Sequence, residues 1–293
     1  MRARDILAAI LVAAIWGVSF IAIKVGIGET PPLMLSALRF FFAAFPVVFF
    51  VRPPKASPWL VALYGALIGV GQFGLLFVAI ERGFPVGLAS LVVQLQAFFT
   101  IFLAWALLGE APRGSQAVGA AIAFLGIALI GSRRLEGASL APFLMVVGAA
   151  AFWGAGNVAA KYAGRVDMFA FVAWSSLAPP APLFVLSLAF EGGRGPASLG
   201  HPSLTLALVV VLLSYGATIF GFGLWARLMA YYSAAAVAPF ALLVPIVGMT
   251  AAWAVYREPL GPFEVGGAVL VMAGLGFHVF GDRLLRRRLQ PIR

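Results

Sequence analysis

The sequence predicts an all-α membrane protein in which ten transmembrane helices form two inverted five-helix repeats. Of its 293 residues, 63% are hydrophobic and 10% are charged, whereas a soluble domain carries about 25% charged residues. The apolar residues form continuous runs of about 20 residues, the length that a helix needs to cross about 30 Å of hydrocarbon. Strands of a membrane barrel would alternate apolar and polar residues, so the runs favour helices.

Each helix is placed between two separators that are polar or rich in proline and glycine. In chain order the separators are 28–32, 52–58, 81–84, 108–114, 133–139, 163–167, 191–203, 229–232 and 257–261. The predicted helices are therefore 6–27, 33–51, 59–80, 85–107, 115–132, 140–162, 168–190, 204–228, 233–256 and 262–281.

The first apolar run follows a charged start, Met1-Arg2-Ala3-Arg4-Asp5, which resembles the beginning of a signal peptide. The run is longer than a signal peptide requires, and it contains Trp16 and Lys24, which have counterparts later in the chain. We therefore predict that it is retained as the first membrane helix.

Basic residues predict the orientation of the helices. With the N-terminus in the cytoplasm, eleven basic residues flank helices on the inner side: Arg2, Arg4, Arg52, Lys55, Arg113, Arg165, Arg283, Arg286, Arg287, Arg288 and Arg293. Five lie on the outer side: Arg82, Arg133, Arg134, Arg194 and Arg257. This bias predicts a bacterial inner-membrane protein with both termini cytoplasmic. The formal charge of +10 then indicates contact with anionic lipids, not nucleic acid.

Two motifs recur in the same order and indicate an internal repeat. The first contains a tryptophan, a glycine and a lysine, at Trp16, Gly17 and Lys24 and again, 137 residues later, at Trp153, Gly154 and Lys161. The second is a turn that ends in glutamate, Leu108-Gly109-Glu110 and Tyr256-Arg257-Glu258, at an offset of 148. We predict repeats at 1–137 and 138–293. Because each has an odd number of helices, the second is inverted.

At these motifs the sequence resembles the ten-helix, EamA-type branch of the drug/metabolite transporter superfamily, and within it the YddG-type amino-acid exporters. The resemblance covers essentially the whole chain, although Arg257 replaces a glycine of the second turn. It implies a transporter that exports amino acids or similar small polar metabolites by alternating access. It also implies a central cavity between helices 1, 3, 4, 6, 8 and 9.

Polar and aromatic side chains at membrane depth are the candidates for the substrate path, since such groups usually face a cavity. The predicted substrate-binding residues are Trp16, Ser19, Phe20, Gln72, Ser90, Gln94, Trp153, Asn157, Tyr215 and Thr218. For Gln72 and Gln94 the alternative is a hydrogen bond between helices. Arg39 is expected nearer a helix end than the membrane midplane.

Two further pairs of residues are candidates for a role in transport. Lys24 and Lys161 are candidates for gating or for contact with a substrate charge, the alternative being that they extend to the membrane surface. Pro239 and Pro245 are predicted to kink helix 9, which exposes backbone carbonyls or is purely structural.

The residue types that the chain lacks narrow the mechanism. No Asp or Glu falls at the centre of a predicted helix, which favours facilitative transport over the alternative, a proton-coupled effluxer of drugs and lipophilic cations. The chain has no cysteine and no P-loop or HExxH motif, so we expect no enzymatic activity, metal or cofactor. A monomer is expected. A non-transporting scaffold stays a further alternative.

Overall fold

A computed structural model describes residues 1–135, 140–164, 166–232, 234–258 and 261–288 of the chain. The boundary predicted between residues 137 and 138 lies outside these residues, as do Arg165 and Arg293. The membrane helices are α1 Ala3–Glu29, α2 Pro32–Phe49, α3 Pro58–Glu81, α4 Val86–Leu108, α5 Gly114–Leu135, α6 Leu140–Tyr162, α7 Met168–Glu191, α8 Leu204–Met229, α9 Ala234–Ala241 continued by Leu243–Tyr256, and α10 Pro262–Arg288.

The ten predicted helices are confirmed. Within the described residues, nine helices are long and apolar enough to span a membrane, and α5 contributes a shorter apolar stretch, Gly114–Ile130. Helices are the natural solution for such a chain because every backbone N–H and C=O in lipid must be satisfied within its own segment. The last helix continues to Arg288, beyond the predicted end at residue 281.

Helices α3 and α8 carry the same irregularity at matching places. Each contains nine π-helical residues, Ala66–Gly74 in α3 and Leu212–Phe220 in α8. The two segments begin 146 residues apart, an offset within the range of the sequence repeat. π-Helical segments interrupt the regular backbone pattern and often mark functional positions. The two halves therefore share a local distortion that the apolar pattern did not indicate.

Helices α4 and α9 are also interrupted at matching places. In α4 the interruption is a 3₁₀ turn, Val93–Leu95. In α9 it is Leu242, which separates the helical segments on either side. Leu242 lies between Pro239 and Pro245, and Pro245 has no N–H with which to bond the carbonyl four residues earlier. The predicted helix 9 is thus two segments instead of one.

The contact between α5 and α10 shows the relation between the halves most directly. A side chain on Gly119 would lie 2.6 Å from the carbonyl oxygen of Gly274, and one on Gly126 would lie 2.6 Å from that of Gly267. At the repeat offset of 148 residues, the counterparts of Gly119 and Gly126 in the second half are Gly267 and Gly274. Each glycine thus faces the counterpart of the other, as a two-fold axis between antiparallel helices requires. Small residues permit this close approach, and the inverted repeat is confirmed.

The other contacts between helices follow the same symmetry. Helix α1 packs against α9, and its counterpart α6 packs against α4. Likewise α1 contacts α8, while α6 contacts α3. Other cross-half contacts join α2 with α7, α4 with α9, α2 with α8 and α3 with α7. Helices of the first half are consequently interleaved with helices of the second, and the space between them lies at the centre of the bundle.

Candidate functional site

A cavity of about 350 Å³ lies between the two halves. Its wall is formed by α1, α2, α3, α4, α6, α7, α8 and α9. Ala160, Met168 and Met229, which line it, lie near helix ends on the side of the bundle that carries the N-terminus. The cavity therefore extends from the centre of the bundle toward this end, which we call the amino-terminal end.

Seven of the ten predicted substrate-binding residues line this cavity: Trp16, Ser19, Phe20, Gln72, Gln94, Trp153 and Asn157. They come from α1, α3, α4 and α6, four of the six helices expected to form it. Periodicity explains the grouping, because residues four apart on a helix share a face. In α1 this rule places Trp16 and Phe20 together, and in α6 it places Trp153 and Asn157 together.

The indole of Trp16 is held by helix α8. Its Nε1 donates a hydrogen bond of 2.9 Å to the carbonyl oxygen of Ala217, in the π-helical segment. Its ring centroid lies 5.2 Å from that of Phe222 and 5.3 Å from that of Trp225. Gly221 makes this possible, since a side chain there would lie 2.6 Å from Nε1. Trp16 is thus one member of a fixed aromatic wall.

The amide of Asn157 joins α6 to α4. Its Nδ2 donates hydrogen bonds to Oε1 of Gln96 at 2.7 Å and to Oγ1 of Thr100 at 3.0 Å. Gln96 also lines the cavity, as Gln94 does, although two residues that are two positions apart on a regular helix do not share a face. The 3₁₀ turn at Val93–Leu95 changes the helical register between the two glutamines, so both reach the same space.

Three predicted residues do not line the cavity. The Ser90 hydroxyl is buried and donates to the carbonyl oxygen of Gly87 within its own helix. The Tyr215 hydroxyl donates to the carbonyl oxygen of Phe45 at 3.1 Å. Thr218 is buried behind the wall, where its Oγ1 accepts two hydrogen bonds from Arg39. Each hydroxyl is therefore occupied by a hydrogen bond within the protein. Those of Tyr215 and Thr218 join residues far apart in the chain, which the sequence could not reveal.

Several lining residues were absent from the prediction. Arg39, expected near a helix end, is 2% exposed and lines the cavity. Tyr64 and Trp225 also contribute, and Phe222 completes the aromatic wall. An arginine in an apolar run was itself a signal, because charge at membrane depth is usually functional. The aromatic residues carried no such signal, since they are common throughout the helices.

The two predicted gating lysines form ion pairs that cross between the halves. Lys24 of the first half lies 3.1 Å from Oε1 of Glu258 in the second half. Lys161 of the second half pairs with Glu110 of the first. The pairs lie at opposite ends of the bundle, that of Lys161 at the amino-terminal end. The sequence contained all four residues in its two repeated motifs but did not show that the motifs meet.

The two ion pairs differ in their surroundings. Glu258 also accepts hydrogen bonds from the backbone N–H groups of Val86 and Gly87, at the start of α4, at 3.2 and 3.1 Å. A carboxylate is favoured there because free N–H groups and the helix dipole meet at a helix N-terminus. The Glu258 side chain is 13% exposed, against 50% for Glu110. The end opposite the N-terminus is therefore the more tightly closed of the two.

Metal ligands are not grouped in the described parts of the chain. No three His, Cys, Asp or Glu side chains there come together as a metal site would require. The cavity wall, as far as it is described, contains neither Asp nor Glu. The described wall offers hydrogen-bonding amides, aromatic faces and one guanidinium to a small molecule.

Two segments of the chain each match the same known family. The EamA-like transporter family matches residues 4–132 and again residues 140–280. The chain belongs to the EamA-like transporter family. The two matched segments correspond to the two inverted five-helix halves, and the family resemblance read from the repeated motifs is confirmed. The chain is accordingly a multi-pass membrane transporter.

Proteins similar to this chain are known from several bacteria. The chain is 40% identical to a protein of Salmonella typhimurium named "Probable amino-acid metabolite efflux pump", over 98% of each chain. It is 41% identical to an Escherichia coli K12 protein of the same name, over 97% of each chain. A Bacillus subtilis protein named "Uncharacterized transporter YoaV" is 26% identical and covers 92% of this chain and 95% of its own.

The fold of the family also appears in a solved crystal structure. That structure superposes with a TM-score of 0.65 and covers 99% of this chain and 100% of the other chain. The two sequences are 22% identical, so the likeness concerns the fold alone. The ten-helix arrangement of this EamA-like chain is therefore also found in that structure.

Proposed function

We propose that this EamA-like transporter exports amino acids or related small metabolites across the bacterial inner membrane by alternating access. The central observation is the cavity between the inverted halves, which is lined by amides and aromatic rings. Uncharged amides can both donate and accept hydrogen bonds without the cost of a buried charge. Relatives that share 40% and 41% of their residues with the chain carry the name of amino-acid metabolite efflux pumps.

We also propose how the molecule is oriented in the membrane, where its two halves meet in the sequence, and that it works as a monomer. The bias of basic residues supports a cytoplasmic location for both termini. The amino-terminal end would then be the cytoplasmic end, and the cavity extends toward it. The boundary between the halves is proposed at residues 137 and 138, and the working unit is a monomer, since one chain encloses the cavity.

The ion pairs of Lys24 with Glu258 and of Lys161 with Glu110 are the proposed gates. Because each pair joins one half to the other, rocking of the halves must lengthen one pair before the corresponding end can open. The better buried Lys24 pair keeps the outer end closed in this conformation. The Lys161 pair is also formed in this conformation, and it must separate before the cytoplasmic end can open fully.

Transport is proposed to be facilitative, because the described cavity wall offers no carboxylate as a proton carrier. The guanidinium of Arg39 also makes the wall positive, which disfavours the alternative substrate, a lipophilic cation. The amino-acid proposal and the coupling proposal are tested by the same preparation.

The experiment uses purified protein in liposomes loaded with radiolabelled amino acids, with dye cations as competitors. Efflux down the substrate gradient is expected without an imposed pH gradient, and dye cations should not reduce it. Thr250→Val serves as the control variant, since Thr250 is exposed on the outside of the bundle. Efflux only under a pH gradient would contradict facilitative transport. Dye transport without amino-acid transport would contradict the substrate class.

A further inference from the structure

Arg39 carries the one charge that the described residues contribute to the cavity wall. It lies near the middle of the span Pro32–Phe49 and is 2% exposed. No described carboxylate pairs with it, and its Nη1 has no hydrogen-bond partner although it is buried. We propose that Arg39 binds the carboxylate group of the transported molecule. This inference rests on the proposed export of amino acids and identifies the part of the substrate that is recognised.

One edge of the guanidinium is already occupied. Nε and Nη2 donate to Oγ1 of Thr218 at 3.2 and 3.1 Å. Thr218 in turn donates to the carbonyl oxygen of Leu213 at 2.9 Å, so its hydroxyl proton is used and its lone pairs face the arginine. The Cζ atom of the guanidinium lies over the ring of Phe73, 3.8 Å from its centroid. These contacts fix the plane and the direction of the side chain.

The other edge of the guanidinium is free. Nη1 has two N–H groups and Nη2 has one more beyond its bond to Thr218, and together they form a fork. Such a fork matches the two oxygens of a carboxylate, which arginine binds through parallel hydrogen bonds. A neutral amide cannot accept both bonds in the same way. The free edge therefore selects an anionic, planar group.

Gln72 supplies a matching acceptor in the same wall. It is 1% exposed, and its Oε1 also lacks a hydrogen-bond partner. It precedes Phe73, the residue on which the guanidinium rests. The cavity thus contains an unpaired donor with positive charge and an unpaired acceptor. This combination suits a molecule with a carboxylate and a nearby N–H group, such as an amino acid.

Stability does not explain an arginine at this place. A charge at membrane depth is costly, and apolar side chains of similar volume usually give a more stable protein than a buried charge. The bonds to Thr218 offset part of this cost but leave the charge without a counter-ion. A bound carboxylate supplies that counter-ion, and its release leaves the buried charge without one again.

The test compares binding of acids with binding of their carboxamides. Amino acids and 2-hydroxy acids, each paired with its carboxamide, are added to purified protein in detergent, and binding is followed by tryptophan fluorescence. The wild type is expected to bind each acid about 10- to 100-fold more tightly than its amide, since hydrogen bonds to charged groups contribute about 1.5–3 kcal/mol. Arg39→Gln should remove this preference, and Arg39→Lys should keep part of it.

Control variants separate recognition from folding. Arg227→Gln removes an exposed arginine of α8 outside the cavity wall and should keep the full preference. Thr218→Val keeps the charge but removes its support, so an intermediate loss is expected. If Arg39→Gln fails to elute as a folded monomer, the role of Arg39 is tested by the acid-over-amide preference of the Arg39→Lys and Thr218→Val variants.

The possible outcomes distinguish this inference from the proposed function. Equal binding of acids and amides by the wild type, or a full preference in folded Arg39→Gln, would overturn the role of Arg39 even if amino acids are transported. Binding of 2-hydroxy acids but not of amino acids, with the preference lost in Arg39→Gln, would overturn the amino-acid proposal and support Arg39.

Discussion

The ammonium group of Lys24 lies 3.1 Å from the carboxylate of Glu258, and 4.0 Å from the ring centroid of Tyr256. Lys24 belongs to the first helix of one half. Glu258 belongs to the other half, in the segment between α9 and α10. Their counterparts form the second ion pair, in which the lysine, Lys161, belongs to the second half and the glutamate, Glu110, to the first. In this EamA-like chain each lysine of the repeated motifs thus pairs with a glutamate of the other half. Each of the two ion pairs joins the halves at one end of the bundle.

Removal of the Lys24 charge should open the end at which Glu258 lies. The chain contains no cysteine, so Ile23→Cys places a single thiol in the cavity wall just inside Lys24. In the Ile23→Cys, Lys24→Met double variant we expect a membrane-impermeant thiol reagent, added from the Glu258 side, to react about tenfold faster. That ratio corresponds to about 1.4 kcal/mol of lost preference for the closed end. Unchanged labelling would show that the pair does not close this end.

The control for this prediction reverses the pair. Lys24→Glu combined with Glu258→Lys restores opposite charges, and we expect labelling to return part of the way toward the slow rate. Recovery should be incomplete, because a lysine at 258 cannot accept the N–H groups of Val86 and Gly87.

Loss of the Lys161 charge should affect stability less than loss of the Lys24 charge. The side chains of Lys161 and Glu110 are 52% and 50% exposed, and exposed ion pairs contribute about 0–1 kcal/mol. In thermal unfolding of detergent-purified protein, Lys161→Met should therefore shift the midpoint less than Lys24→Met. Efflux by Lys161→Met should nevertheless fall, since the proposed cytoplasmic gate no longer closes. A normal efflux rate would argue against that gate.

Gly221→Ala should displace Trp16 from its position in the cavity wall. The added methyl group would lie 2.6 Å from the indole Nε1, and the bond to the carbonyl of Ala217 would be lost. We expect amino-acid efflux to fall severalfold while the protein stays folded, measured as initial rate per folded molecule. Gly28→Ala is the matched control, because no atom lies within 4 Å of a side chain at that helical position.

Gly274→Ala should destabilise the contact between α5 and α10. Its methyl group would lie 2.5 Å from the carbonyl oxygen of Gly119, and backbone cannot move aside as a flexible side chain can. Overpacking of this kind costs about 1–3 kcal/mol, so the thermal midpoint should fall clearly. Gly276→Ala, two residues along the same helix and with no neighbour within 4 Å, should leave it unchanged.

Asn157→Leu should reduce both transport and stability. The change leaves Oε1 of Gln96 and Oγ1 of Thr100 without the donor that now binds them. An unsatisfied group that is fully buried costs about 1–3 kcal/mol, and these two half-buried groups should cost less. Efflux should fall because Gln96 loses its fixed orientation in the wall. Asn157→Asp, which removes the donor but keeps the shape, should show the same direction. Normal flux in both variants would exclude the amide from the substrate path.

Much of the fold was predictable because the bilayer imposes strong rules on sequence. A run of about 20 apolar residues can satisfy its backbone in lipid only as a helix, and an odd number of such helices per repeat makes the repeat inverted. The grouping of Trp16 with Phe20, and of Trp153 with Asn157, followed from helical periodicity alone. Local chemistry and chain length were sufficient for these conclusions.

Other features depend on contacts between residues that are far apart in the chain. The interruption of α4 changed which of its side chains face the cavity, so Gln96 lies in the wall and Ser90 lies behind it. A hydroxyl such as that of Thr218 has several possible partners, and only packing selected Arg39. Hydrogen bonds and ion pairs depend on distance in space, which hydropathy does not encode.

The sequence by itself determined that this chain spans a membrane with ten helices in two inverted halves, and it contained both lysines and both glutamates of the ion pairs. The tertiary structure alone decided that Lys24 meets Glu258, that Lys161 meets Glu110, and that Arg39 is buried in the cavity wall with an unpaired Nη1. The physical reason is that hydrophobicity acts on each segment separately, whereas charges and hydrogen bonds act between segments once the helices have packed.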